Sequence, residues 1–67
     1  DRRLILEQEL AEEQGLLEAA RRLAADSRAA PGTSPESALE DVSRVLDAIR
    51  RHERNIEAIR RELSLTR

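Results

Sequence analysis

Sixty-seven residues, 39% hydrophobic and 39% charged, carry a net charge of −2 and include no cysteine, phenylalanine, tyrosine or tryptophan. One small domain is the upper limit, with a core that is marginal without help from a partner. Disulfides and thiolate metal sites are excluded, the lone His52 cannot cage a metal, and without aromatics or a basic excess no nucleic-acid binding is expected.

The chain opens at Asp1 rather than at a methionine, as a piece of a longer protein would, and its function is then expected to belong to the parent. The first predicted helix covers about residues 2–28, rich in Leu, Ala, Glu and Arg. Its apolar runs, Leu4-Ile5-Leu6 and Leu16-Leu17, are far too short for a membrane span or a signal-peptide core, so no membrane insertion is expected. Leu6, Leu10, Glu13, Leu17, Ala20 and Ala24 recur at alternating steps of four and three, an apolar stripe with one polar interruption, flanked by Leu16 and Leu23. Gly15 sits mid-helix off that stripe, at a cost near ~1 kcal/mol relative to Ala. It is either simply tolerated or the place where another backbone comes close.

The stretch 29–35, Ala-Ala-Pro-Gly-Thr-Ser-Pro, is the only substantial helix breaker. Ala30 precedes a proline and is pushed out of the helical region, so the first helix should stop by about Arg28. The second helix, about 35–64, starts with either Ser34 capping and Pro35 at the first helical position, or Thr33 capping and Glu36 reaching back. Its stripe is Val42, Val45, Ile49, His52, Ile56, Ile59 and Leu63, widened by Leu39 and Leu46, again with one polar interruption.

Two stripes joined by one short turn predict an all-α fold, an antiparallel two-helix coiled-coil hairpin roughly 40 Å long. With the turn centred near Gly32 and Thr33, Ile59 faces Leu6, Ile49 faces Leu16, Val45 faces Ala20 and Val42 faces Leu23. On this register the two polar interruptions, His52 and Glu13, meet. Charge favours the same arrangement over a parallel dimer. Residues 7–18 hold five acids and no base, and residues 50–61 hold five arginines against Glu53 and Glu57. Within helices, Glu18–Arg22, Glu40–Arg44, Asp47–Arg51 and Glu57–Arg61 have favourable i,i+4 spacing.

Candidate sites are few. Imidazole–carboxylate pairs such as His52 with Glu13 serve elsewhere as proton-transfer pairs or pH switches. Here a polar layer that fixes helix register is the preferred reading, because no nucleophile, glycine loop or second acid completes a catalytic set. Two helices cannot enclose a pocket, so no enzyme and no cofactor are expected. The arginine clusters Arg21-Arg22, Arg50-Arg51 with Arg54, and Arg60-Arg61 could form a phosphate-binding face, but acids interleave with them, so they are read as solvated faces or, where functional, protein contacts. Leu4, Ala11 and Leu65 leave spare apolar surface at the open end, which suits a partner or parent sequence. Leu4, Gly15, Arg21, Arg22, Arg50, Arg51 and Arg54 are therefore the candidate partner-binding residues.

The segment from Gln8 to Ala20, Gln-Glu-Leu-Ala-Glu-Glu-Gln-Gly-Leu-Leu-Glu-Ala-Ala, places a glycine partway along a leucine-rich first helix. Together with Ala38–Leu46 and Asn55–Leu63 it resembles the Rho effector homology region-one repeat, whose first helix carries a Glu-Gly-Ala-Glu-Asn-Leu motif. Gly15 matches the motif's glycine, and Gln14 stands where the family has Glu. The resemblance implies a cytoplasmic signalling or scaffold module that binds a Rho-family small GTPase through the outer face of the hairpin. The purely structural alternative is a self-associating coiled coil, either a homodimeric four-helix bundle or a spacer between domains.

Overall fold

The computed structural model describes residues 1–29, 32 and 34–66, the side chains of 27–29 excepted. Two helices, α1 (Arg2–Ala29) and α2 (Pro35–Leu65), form an antiparallel hairpin of 52 × 14 × 11 Å. It exceeds the expected length because the 31-residue α2 alone spans about 46 Å at 1.5 Å per residue and the turn and end residues add to it. Asp1 starts α1: its Oδ1 accepts from the Arg3 amide at 3.1 Å and its carbonyl accepts from the Ile5 amide at 3.2 Å. These bonds satisfy donors that a helix start leaves free.

At the turn, Gly32 has φ +81°, a conformation that side chains with a Cβ rarely adopt. Ser34 caps α2, its Oγ accepting from the Ser37 amide at 3.2 Å, with Pro35 opening the helix. Of the two predicted caps Ser34 is the one in place, and Thr33 lies outside the described residues. At the far end the Thr66 amide donates to the Leu63 carbonyl at 3.3 Å and the Thr66 hydroxyl to the Glu62 carbonyl at 2.9 Å.

The seam follows the two predicted stripes. Leu6, Ala24 and Ile56 are buried, and the other stripe positions, Glu13 and His52 included, are half-buried. Among the described residues none is sealed completely from water, as expected where each helix has a single neighbour.

Two facing pairs require correction. Leu16 and Leu23 are 51% and 56% exposed, so they do not fill the layers of Ile49 and Val42. Leu17 and Ala24, one residue further on, occupy those levels. An antiparallel seam sets three-residue steps on one helix against four-residue steps on the other, so facing numbers alternate by one from layer to layer. Leu39 and Leu46 do not widen the seam either, being 72% and 37% exposed.

Candidate functional site

The polar layer at mid-seam is the most chemically distinct place in the hairpin. His52 Nδ1 lies 2.7 Å from Glu13 Oε2, both side chains 21% exposed. A carboxylate can only accept, so against it Nδ1 carries the hydrogen and donates. The other carboxylate oxygen, Oε1, accepts from Asn55 Nδ2 at 3.3 Å. Asn55 was not anticipated, because it stands off the stripe. The signal for it was its position three residues after His52, which puts both on one side of α2. The three side chains leave no buried polar side-chain atom unpaired among the described residues. The arrangement fixes register: sliding either helix by one turn would bury Glu13 and His52 against apolar layers.

Among the described residues two arginine–carboxylate pairs link the helices. Arg2 reaches Glu62 at 2.7 Å and Arg21 reaches Glu53 at 3.4 Å, while Arg3 donates to the Leu63 carbonyl at 3.5 Å and the Thr66 carbonyl at 3.1 Å. In both arginine–carboxylate pairs the base sits on α1 and the acid on α2, the reverse of the charge stretches that suggested the fold. Among the described residues no arginine in 50–61 pairs with an acid in 7–18, and the one contact between the two stretches is that of Glu13 with His52 and Asn55. Arg21 and Glu53 pair although they are far from directly opposite, because helical side chains lean toward their own N-termini and so toward each other across an antiparallel seam. Glu18–Arg22 and Glu57–Arg61 form as spaced, joined by Arg3–Glu7 at 3.2 Å. Asp47 pairs with Arg50 at 3.9 Å instead of Arg51, and Glu40–Arg44 is not formed.

The candidate partner-binding residues do not share one face. Leu4 is 54% exposed near the open end, and a Cβ on Gly15 would meet nothing within 4 Å. Gly15 and Arg22 point away from α2, and Arg54 points away from α1. Arg21 overhangs an open groove whose floor is Leu17 and Ile56 and whose rims carry Glu18, Glu53, Glu57 and Arg60. Arg22 and Arg50 are engaged within their own helices, and Arg51 and Arg54 form no ion pair among the described residues.

Among the described residues, no cluster of three or more His, Cys, Asp or Glu could hold a metal ion, and no helix is long and apolar enough to cross a membrane. The fold is thus an all-α coiled-coil hairpin with one polar layer. No protein-family model, no curated protein and no solved structure matches the chain.

Proposed function

We propose that the hairpin is a non-enzymatic protein-interaction module, with a Rho-family small GTPase as the partner to test first. The observation that carries this reading is the apolar surface left on two stiff helices. Leu4, Ile5, Leu16, Leu23, Leu39, Leu46 and Leu65 are all between 37% and 79% exposed. Exposed apolar side chains in this number suit a surface that another protein covers. Exposed Arg51 and Arg54 add the residue type favoured at protein contacts. The GTPase version rests on Gly15, the residue that carries the resemblance, which lies on the outer surface where a partner backbone can approach.

Titrating the chain with GTP- and GDP-loaded Rho-family proteins by calorimetry tests the reading. Nucleotide-dependent binding is the expected result. Absence of binding to any loaded GTPase removes that partner class.

A further inference from the structure

The two flanks of the seam differ in a way that a GTPase contact does not explain. The Arg2–Glu62 bridge marks one flank. Heptad steps from Arg2 along α1 reach Leu16 and Leu23, and heptad steps back from Glu62 along α2 reach Ala48, so these residues share that flank. Ala19 stands one turn beyond Leu16. The opposite flank, marked by Arg21–Glu53 and the groove, carries exposed Leu39 and Leu46 toward the turn and is mostly charged at its centre.

Charge sharpens the contrast. On the leucine flank α1 offers Glu9, Glu12 and Asp26 while α2 offers Arg44 and Arg51 beside Asp41, and none of the six is in an ion pair among the described residues. Outside the Arg2–Glu62 bridge, the α1 edge of this flank is therefore acidic and the α2 edge carries a net positive charge.

We propose that this flank is a self-association surface. Two hairpins join about a twofold axis parallel to their helices, forming a four-helix bundle with α1 of each copy against α2 of the other. Leu16 and Leu23 cover the small side chain of the partner's Ala48, and Asp26 meets the partner's Arg44.

Three observations select a second copy as the occupant. A compact monomer of 7.6 kDa would expose about 4,300 Å², whereas this chain exposes 5333 Å². The excess, on the order of 1,000 Å², matches the roughly 800 Å² that each partner buries in a standard interface. Charge then fixes the pairing. Setting α1 against the partner's α1 would bring acids together and leave the arginines of α2 facing each other, while setting α1 against α2 joins opposite signs. Finally, the lean of helical side chains carries Asp26 and the partner's Arg44 toward each other, the geometry already seen within one chain for Arg21 and Glu53.

The test is sedimentation equilibrium of the whole chain and of two charge-reversed variants, Asp26→Arg and Arg44→Asp. The unsubstituted chain is expected to dimerise at tens of micromolar. Each variant alone sets two like-charged contacts in the dimer and should associate about tenfold more weakly or worse. An equimolar mixture of the two restores both opposite-charge contacts and should recover the parental dimer. This readout holds even where an isolated variant is poorly folded. Leu16→Glu should abolish dimerisation, and Leu46→Glu, on the groove flank, should leave it intact. A parental chain still monomeric at several hundred micromolar overturns the proposal. So does a mixture no tighter than its components, or a dimer that Leu46→Glu disrupts and Leu16→Glu does not. None of these outcomes bears on the GTPase titration, so the two readings fail separately.

Discussion

The half of the hairpin at its open end and the half at its turn share one seam but fill it differently. Toward the open end, Leu6 and Leu10 lie level with Ile59 and Ile56. Toward the turn, Ala20 and Ala24 lie level with Val45 and Val42. Ala24 and Leu6 are almost equally buried, at 8% and 7% exposed, yet a leucine removes far more apolar surface from water than an alanine. The open-end half thus holds most of the hydrophobic stabilisation, while the turn half relies on the short connection and the Ser34 cap. It also leaves its larger side chains, Leu16, Leu23, Leu39 and Leu46, outside the seam. A hairpin built this way is held more firmly at its open end, although Leu4, Ile5 and Leu65 leave apolar surface there too.

The widest gap between the halves should appear on truncating one seam residue in each. Ile56→Ala removes the most buried side chain of α2, at 6% exposed, and should lower stability by about 2–4 kcal/mol. Val42→Ala removes a smaller, half-buried side chain opposite Ala24 and should cost less than half as much. Thermal unfolding followed by circular dichroism measures both, and equal losses would abolish the distinction between the halves.

The polar layer between the halves gives the next largest effect. Glu13→Leu deprives both His52 and Asn55 of their acceptor and should cost about 1–2 kcal/mol. Adding His52→Leu replaces the pair with apolar side chains and should return the melting temperature to the parental value or above it. The double variant should also lose uniqueness of register, visible as broadened amide resonances. A double variant less stable than Glu13→Leu alone would show that the pair is a net stabiliser and not chiefly a register device.

The seam was legible in the sequence because its evidence is periodic: the alternation of three and four identified every half-buried stripe position in both helices. The Glu13–His52 contact followed from one assumption, where the chain bends. What could not be read depends on details that periodicity does not encode. Leu16 and Leu23 were set one step out of layer because facing numbers in an antiparallel seam do not advance evenly. Asn55 escaped because a polar residue beside the stripe is indistinguishable from any other exposed one. The choice of Asp47–Arg50 over Asp47–Arg51 belongs to long, exposed side chains whose alternatives differ by a few tenths of a kcal/mol. Nothing in the pattern states a partner, since flank composition shows that a surface exists without naming what covers it.

If the turn half is held by its cap, Ser34→Ala should be felt there first. Losing the Oγ acceptor at the Ser37 amide should cost about 1 kcal/mol. Hydrogen exchange should quicken at the first turn of α2 while the amides around Ile56 keep their protection. A uniform increase along both helices would mean that the halves unfold together, with no weaker end.

The smallest expected effect runs in the opposite direction. Gly15 is inside α1, and an added Cβ would meet nothing within 4 Å, so Gly15→Ala should raise stability by about 0.5–1 kcal/mol through the reduced freedom of the unfolded chain. That gain separates the two accounts of the glycine. If Gly15 is only tolerated, the alanine variant melts a few degrees higher and binds every partner as the parent does. If a partner backbone approaches α1 there, the same variant melts higher and binds more weakly, because the new methyl group occupies the space that the partner needs. Higher stability with weaker affinity would mark Gly15 as a contact residue, and higher stability with unchanged affinity would return it to the plain helix surface.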